Sequence, residues 1–559
     1  MIKIYKDSIE KSTSKEQWKR DEVAVNVIDF EHAKGRQSQR EWAKEHGIPR
    51  TTLQHWLKRK DNIDASPVVI EFFESPDGIA FLHRMITAAH FEFGKNSPAS
   101  IHNISNFLKL CGVEPFIATS YTTHCRISDS MDKAVIRFEE HEQKKLAENM
   151  PARKISLCED ETFHPETCMV AIEPISNFII LEKYVGNREG KTWNEVVDEA
   201  LSGLPVEVIQ VVSDEARGII NHTTKGLKAH HSPDCFHVSH EIGKGTAGAL
   251  ASTIKKEEKR HETAAKETRK QIRLKEQYDN QSKRPRGRKP HFEKRIEAAL
   301  ENESQVLADL EKARQNQETV RTAKRNIGKL YHPYDPESGE KQDAQRVSEL
   351  LESCFESING AIVGLSDRCK KRVEKAHRVV KDMVANVAFF YLMIDLYIDN
   401  KGISENERKL LHDYLIPGFY LQHVARKEKD AIRKEDICSK SRQLLSIVSD
   451  LDSPFTQYSD SRIKELERAA EECAYIFQRS SSCVEGRNAQ LSLRHHGLHR
   501  LSSQHLKALT VVHNYYIRNR DGTTPAERFF EAKHNDLFGW MLDNMDYPAR
   551  PRKCLAKAA

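Results

Sequence analysis

The sequence predicts a multidomain, mainly helical protein with one α/β region and an N-terminal helix-turn-helix. At 559 residues the chain is longer than a single hydrophobic core normally supports. Charged residues make up 31% of the chain and hydrophobic residues 38%, which is typical of a soluble, helix-rich protein. Apolar residues follow helical spacing over most of the chain but form strand-like runs after Lys154.

The composition and the apolar segments argue against several classes of protein. The formal charge of +5 is small for this length and does not by itself require a nucleic-acid partner. The 11 cysteines are odd in number and form no CxxC pair, which argues against a disulfide framework or a zinc ribbon. The N-terminus lacks the apolar core of a signal peptide, and the most apolar stretch, 383–398, is too short and interrupted to span a bilayer. We therefore expect a cytoplasmic protein.

Residues 38–60 (SQREWAKEHGIPRTTLQHWLKRK), within a first domain at 1–64, predict two short helices around a tight turn. Ser38 and Glu41 fit a capping box at the start of the first helix, and Gly47 lies in the turn. This pattern is typical of a helix-turn-helix, whose second helix enters the major groove, although a plain helical hairpin shares it. The predicted DNA contacts on the second helix are Arg50, Thr51, Thr52, Gln54 and Lys58.

Two further regions are predicted to be helical. In the second domain, 65–150, residues 100–120 repeat a helix, glycine turn and helix, which fits core or dimer packing as well as DNA contact. A helical insertion is expected over 251–475, with a weak coiled-coil seam after residue 296.

A basic break interrupts the charged helices of the insertion. Residues 283–290 (KRPRGRKP) resemble an AT-hook, in which an extended Arg-Gly-Arg lies along a narrow A·T minor groove. The predicted groove contacts are Arg284, Arg286 and Arg288. A solvated basic linker between two helices is the alternative.

Three acids stand out by their position in predicted elements. Asp160 and Asp214 each end an apolar, partly β-branched strand, and Glu485 lies one turn into a serine-rich helix start. Carboxylates that converge from distant parts of a chain repel one another unless a cation lies between them, and oxygen ligands suit Mg²⁺ or Mn²⁺ and phosphoryl chemistry. Each acid also has an ordinary explanation, which for Glu485 is a capping box with Ser482.

The predicted element order around these acids is strand, strand, strand, helix, strand, helix, strand. The strands are expected at 154–160, 168–173, 178–184, 206–213 and near 228–235. This is the order of an RNase H-like domain, so we predict an α/β RNase H-like catalytic domain. Its first part would span 151–250, and its last part, with the third acid, would follow the insertion at 476–559.

A second cluster, Asp234-Cys235-Phe236-His237, follows the fourth of these strands. A structural zinc site would need a second ligand pair, and none with suitable spacing is present in the sequence. His237 is a candidate for donating a hydrogen bond to a reacting phosphate or for moving a proton there. A histidine packed at a strand end is the alternative.

The chain resembles the DDE-type transposases of prokaryotic insertion sequences, with Asp160, Asp214 and Glu485 as the acids. Asp234-x-x-His237 is similar to the [C/D]-x-x-H signature of several transposase groups. Asn488 and the tail at 515–529 (YYIRNRDGTTPAERF) are also similar to the end of such domains. The resemblance covers residues 38–60, 154–240 and 480–530.

The resemblance implies a DNA transposase that binds the terminal inverted repeats of an element and joins them to target DNA. The three acids would hold two Mg²⁺ or Mn²⁺ ions for strand cleavage and strand transfer. Arg487 and Arg494 are predicted phosphate contacts near the site. A homodimer or larger assembly on double-stranded DNA, in the nucleoid of a prokaryotic cell, is expected. Two other functions fit: a non-catalytic helix-turn-helix regulator derived from a transposase, or a structural protein organised by the charged helices.

Overall fold

The computed structural model describes residues 20–60, 63–163, 166–282, 287–450, 453–498 and 501–551. It is mainly helical with one five-stranded sheet, which confirms the predicted mainly α architecture with an α/β region. None of the helices that the structure describes combines the length and the apolar character that a bilayer-spanning segment needs.

The N-terminal unit contains three helices around one small core. They are α1 (Arg20–Ala33), α2 (Gln39–Glu45) and α3 (Arg50–Lys60). The Ser38–Glu41 capping box is present, and Gly47 has a φ of +65°, which favours glycine in the turn. The core residues include Val27, Phe30, Trp42, Leu53 and Trp56.

The second helical unit differs from its prediction. Its helices are α4 (Pro67–Phe73), α5 (Pro76–Ala89), a π-helix (His90–Asn96), α6 (Ile101–Leu110) and α7 (Tyr121–Glu148). After α6 and Gly112 the chain turns and forms no helix before Ser120, so the predicted second helix within residues 100–120 is wrong. The far half of α7 instead packs through Met131, Val135 and Phe138 into the core beneath the sheet.

The sheet is mixed, with strand order β3-β2-β1-β4-β5. The strands are β1 (Arg153–Phe163), β2 (Thr167–Glu173), β3 (Phe178–Val185), β4 (Val206–Ser213) and β5 (His230–Pro233). β2 pairs antiparallel with β1 and β3, whereas β4 pairs parallel with β1 and β5. Helix α8 (Gly190–Leu201) connects β3 to β4, and α9 (Arg217–Asn221) with a second π-helix (His222–Leu227) connects β4 to β5. The predicted strands and connecting helices are confirmed, but β1 continues three residues beyond its predicted end. Asp160 therefore lies within this strand, opposite Val170 of β2, and the prediction that it ends the strand is wrong.

The insertion is a helical body that docks on the β5 side of the sheet. Its helices are α10 (Cys235–Asp279), α11 (Phe292–Leu330), α12 (Ala344–Ala361), α13 (Asp367–Arg378), α14 (Val380–Asn400), α15 (Glu405–Leu410), α16 (Ile416–Lys427), α17 (Ala431–Leu445) and α18 (Asp460–Ala474). Buried Asn386 of α14 accepts hydrogen bonds from Gln210 (2.8 Å) and Ser232 (2.6 Å) and donates to Tyr331 (2.8 Å). Since Gln210 and Ser232 lie on β4 and β5, this polar network fixes the insertion to the sheet.

The C-terminal helices cover the two faces of the sheet. They are α19 (Ser482–Leu498), α20 (Ser503–Tyr515), α21 (Pro525–Phe530) and α22 (Leu537–Asn544). Val484 and Leu491 of α19 pack in one cluster with Cys158 of β1. Because side chains alternate along a strand, α19 lies on the face toward which Asp160 also points.

Candidate active site

Parallel pairing places aspartates level at one edge of the sheet. Cys158 of β1 is opposite Val212 of β4, so Asp160 and Asp214, each two residues further on, follow at the same level. Ser213 of β4 is opposite Pro233 of β5, which brings Asp234 level with Asp214. The carboxyl ends of neighbouring parallel strands are the usual place for a site in an α/β sheet.

Helix α19 brings Glu485 to this edge. The Asn488 side-chain amide donates a hydrogen bond of 2.9 Å to Oδ2 of Asp160, while Oδ1 accepts 2.8 Å from the Glu161 backbone. The helix begins at Ser482, and the Glu485 amide donates to the Ser481 carbonyl at 3.2 Å. Ser481 is therefore the residue that precedes the helix. A capping box with Glu485 would require Ser482 in that position, so this motif does not account for Glu485.

Asp234 fixes the start of α19 across 247 residues of sequence. Its Oδ1 accepts from the Phe236 backbone at 2.8 Å, and its Oδ2 accepts from the Ser481 amide at 3.2 Å and from the Ser481 hydroxyl. The Cys235 amide also donates to the Arg479 carbonyl at 3.0 Å. Asp234 thus caps α10 and holds the loop before Glu485, which makes it a positioning residue.

His237 lies between two carboxylates. Its Nε2 is 4.0 Å from Oδ2 of Asp234 and 4.0 Å from Oε1 of Glu485, and its side chain is about one-third exposed. It therefore faces the edge that carries the acids and is not packed away at the end of β5.

The electrostatics show that the acids share one neighbourhood. Burial, together with the charges of Asp214 and Glu485, raises the pKa of Asp160 to about 6, against hydrogen bonding by Glu161 and the effect of His237. Burial, and then the charge of Asp234, also raises the pKa of Glu485. Burial is the largest cause of both raised pKa values, and neighbouring carboxylates add to it.

The neighbours of Asp160 on β1 face away from α19. Glu159 is fully buried, with Oε1 3.5 Å from Nε2 of His222, and burial raises its pKa. Glu161 accepts a hydrogen bond of 3.1 Å from the Trp193 indole. Asp160 is therefore the acid of this Glu-Asp-Glu run that meets α19, a distinction that strand alternation explains.

A cleft of about 850 Å³ opens beside Asp214, Asp234 and His237. Its rim carries four cations that the sequence reasoning missed: Arg188, Arg217, Lys244 and Lys375. All four are exposed. Lys244 lies seven residues after His237 on α10, so helical spacing could have predicted that both side chains share one face of the helix. Lys375 belongs to the insertion, and no sequence pattern connects it to the cleft.

The two arginines predicted to contact phosphate near the site have structural roles. Arg487 is 6% exposed and makes two hydrogen bonds of 2.7 Å to the buried carboxylate of Glu182. Arg494 donates to the backbone carbonyls of Lys95 and Ser97, at 3.4 Å for Ser97, and so ties α19 to the second helical unit. The prediction for Arg487 is wrong because Glu182 pairs with it in the core, whereas Arg494 is half-buried and its phosphate contact stays a prediction.

The side chains of α3 that were predicted to contact DNA differ in their exposure to solvent. Arg50, Thr51, Gln54 and Lys58 are exposed, whereas Thr52 is 2% exposed and faces the core, so Thr52 is not available to DNA. Of the AT-hook-like residues, Arg288 is exposed, and Arg284 and Arg286 lie outside the described residues. DNA binding by these residues stays a prediction.

The donor set fits a hard divalent cation. Asp160, Asp214 and Glu485 supply carboxylate oxygens, the ligands that Mg²⁺ and Mn²⁺ prefer. In the part of the chain that the structure describes, the group whose ligand atoms all lie within 4.8 Å of one another is Asp234, His237 and Glu485. Asp160 and Asp214 are not members of this group, and a metal site formed by the three predicted acids stays a prediction.

The raised pKa of Asp160 predicts a measurable effect on stability. The folded protein holds this proton more tightly than the unfolded chain, where an aspartate titrates near pH 3.9, so stability falls as pH rises from about 4 to 6. Asp160→Asn should therefore stabilise the metal-free protein at pH 7.5 by roughly 1–2 kcal/mol and much less at pH 5. Urea denaturation measures both, with exposed Asp198→Asn as the control. Equal stability of Asp160→Asn and wild type at pH 7.5 would contradict the raised pKa of Asp160.

Comparison with known proteins gives one family match. Residues 411–557 match a family model described as a family of unknown function (DUF6399). The match includes part of the insertion, Glu485 and the C-terminal helices. No curated protein matches the chain, and no solved structure does.

Proposed function

We propose that this chain is a DNA transposase that cleaves and joins DNA strands at a metal site formed by Asp160, Asp214 and Glu485. The observation that carries the proposal is the strand register that sets Asp160 level with Asp214, with Glu485 and Asn488 delivered above them by α19. The strand order β3-β2-β1-β4-β5, with its three antiparallel-linked strands and two parallel ones, fits an RNase H-like catalytic domain.

Each residue near the proposed metal site would have its own role. Bound divalent ions would supply Lewis-acid activation of water or a 3′-hydroxyl and stabilise the leaving oxygen of an in-line displacement. Asn488 orients the Asp160 carboxylate, and Asp234 holds the loop that positions Glu485. His237 faces the same edge and can donate a hydrogen bond to a phosphate oxygen. Lys244 and Lys375 would attract the DNA backbone to the cleft.

The direct test is cleavage of DNA taken from the ends of the genetic element. Full-length protein is incubated with labelled duplexes that carry the sequences flanking its reading frame, in Mg²⁺ or Mn²⁺. We expect nicks at a defined position that leave a 3′-hydroxyl, followed by joining of that end to a second duplex. Sequence-specific binding without cleavage in either metal would favour the non-catalytic regulator and overturn the proposal.

A further inference from the structure

The insertion contains a long arm of two helices, which we define as residues 251–282 and 287–319. Helices α10 and α11 run antiparallel along it, as contacts at matched levels show: Glu258 with Arg314 (2.9 Å) and Lys275 with Glu293 (3.3 Å). Between these levels Thr268 donates to the carbonyl of Ala299 at 3.3 Å. The seam is closed by small or apolar side chains: Ala264, Ala265, Val306, Leu310 and Ala313.

The arm extends beyond the body of the protein. Leu250 and Val320 belong to the core of the insertion, whereas no described residue between them contributes to any hydrophobic core cluster. From Leu250 to the end of α10 at Asp279 the helix is roughly 45 Å long at 1.5 Å per residue. A hairpin of this length without its own core is suited to reaching a distant partner.

Charge is concentrated at the far end of the arm. The described residues of this end contain nine Lys or Arg and four Asp or Glu, whereas 251–265 and 296–319 together contain six and nine. We call the described part of this far end, 266–282 and 287–295, the arm tip. Its basic character therefore belongs to the end alone and not to the whole arm.

Exposed cations without an ion pair occur along the described arm, and they are most numerous at the tip. Arg260 pairs with Glu257 at 2.5 Å, and Arg314 pairs with Glu258 at 2.9 Å. Within the described residues, no ion pair involves the exposed tip cations Arg269, Arg273, Arg288, Lys289, Lys294 and Arg295. Unpaired, exposed guanidinium and ammonium groups are the groups that bind phosphates by releasing counterions.

One continuous helix connects the arm to the candidate active site. Helix α10 begins at its Asp234 cap, carries His237 in its first turn and continues without interruption to Asp279. The distance along the helix from His237 to Asp279 is roughly 63 Å, which corresponds to about 18 base pairs of duplex at ~3.4 Å per pair.

We propose that the arm tip binds the phosphate backbone of duplex DNA about 15–20 base pairs from the phosphate held at the active-site edge. The inference rests on the proposed function for its second DNA contact. It adds a separate interaction surface and a fixed spacing: one molecule holds the duplex at two points, and the continuous helix sets the distance between them.

The test compares two triple variants of the full-length protein. The tip variant is Arg273→Gln, Arg288→Gln and Arg295→Gln, and the control is Lys255→Gln, Lys256→Gln and Lys312→Gln. Each removes three exposed positive charges from the same hairpin, and at the helical positions glutamine keeps a similar helix propensity. Affinity for 12- and 30-base-pair duplexes is measured against salt concentration, in Ca²⁺ so that DNA is not consumed.

On the 30-base-pair duplex we expect the tip variant to bind about 10-fold more weakly at ~0.1 M salt, with its salt slope reduced by about 3. The 12-base-pair duplex is too short to span both contacts and should bind wild type and tip variant alike. Unchanged binding of the long duplex, equal loss on both duplexes, or equal loss in the control would each overturn the proposal. Absence of cleavage in Mg²⁺ would instead refute the proposed function and leave this binding result unaffected.

Discussion

Neutralising any one of Asp160, Asp214 and Glu485 is expected to reduce Mg²⁺-dependent DNA cleavage by more than about 100-fold. Removing even an outer partner of a metal ligand costs about 10- to 100-fold, so loss of a ligand oxygen should cost more. The variants are Asp160→Asn, Asp214→Asn and Glu485→Gln, which keep side-chain size. The initial rate of nicking on an element-end duplex is the measurement.

The matched control is Glu189→Gln, which removes an exposed carboxylate from the rim of the same cleft. It should keep at least half of the wild-type rate, and all four variants should bind the duplex through the N-terminal unit. A triad variant that cleaves at the rate of Glu189→Gln would show that its acid is not part of the catalytic site.

Arg487→Met is expected to destabilise the fold by about 3–5 kcal/mol, because it leaves the Glu182 carboxylate buried and unpaired. Burial by itself would raise the pKa of Glu182, but the Arg487 guanidinium outweighs it and lowers that pKa. Thr510 supplies a further hydrogen bond of 2.7 Å to the same carboxylate. Urea denaturation of the full-length protein measures the loss.

A double variant distinguishes the ion pair from a phosphate contact. Glu182→Leu with Arg487→Met replaces both charges by apolar groups and should recover most of the lost stability. If Arg487→Met unfolded like wild type but bound DNA more weakly, Arg487 would be a phosphate contact after all and its buried pairing would be incidental.

Local patterns in the sequence were sufficient to predict the sheet. Strand-like runs gave the five strands, and position at a strand end singled out Asp214. Helical spacing and the Ser38–Glu41 capping box likewise predicted α2 and α3. These features depend on neighbours within a few residues, which a sequence displays directly.

Features that depend on distant contacts could not be predicted. Arg487 lies on the same face of α19 as the buried Val484 and Leu491, but its partner Glu182 is 305 positions away in the sequence, so the ion pair could not be predicted. The hydrogen bond from Ser481 to Asp234 joins residues that are 247 positions apart in the sequence. Thr52 lies beside exposed residues on α3, and only packing within the N-terminal unit shows that it faces inward.

The most direct test of the central claim is Mn²⁺ binding by the full-length protein, followed by electron paramagnetic resonance. We predict that wild type binds Mn²⁺ and that Asp160→Asn, Asp214→Asn and Glu485→Gln each weaken binding by at least about 10-fold. Glu189→Gln should bind like wild type. Equal Mn²⁺ binding by wild type and the three triad variants would contradict a shared metal site.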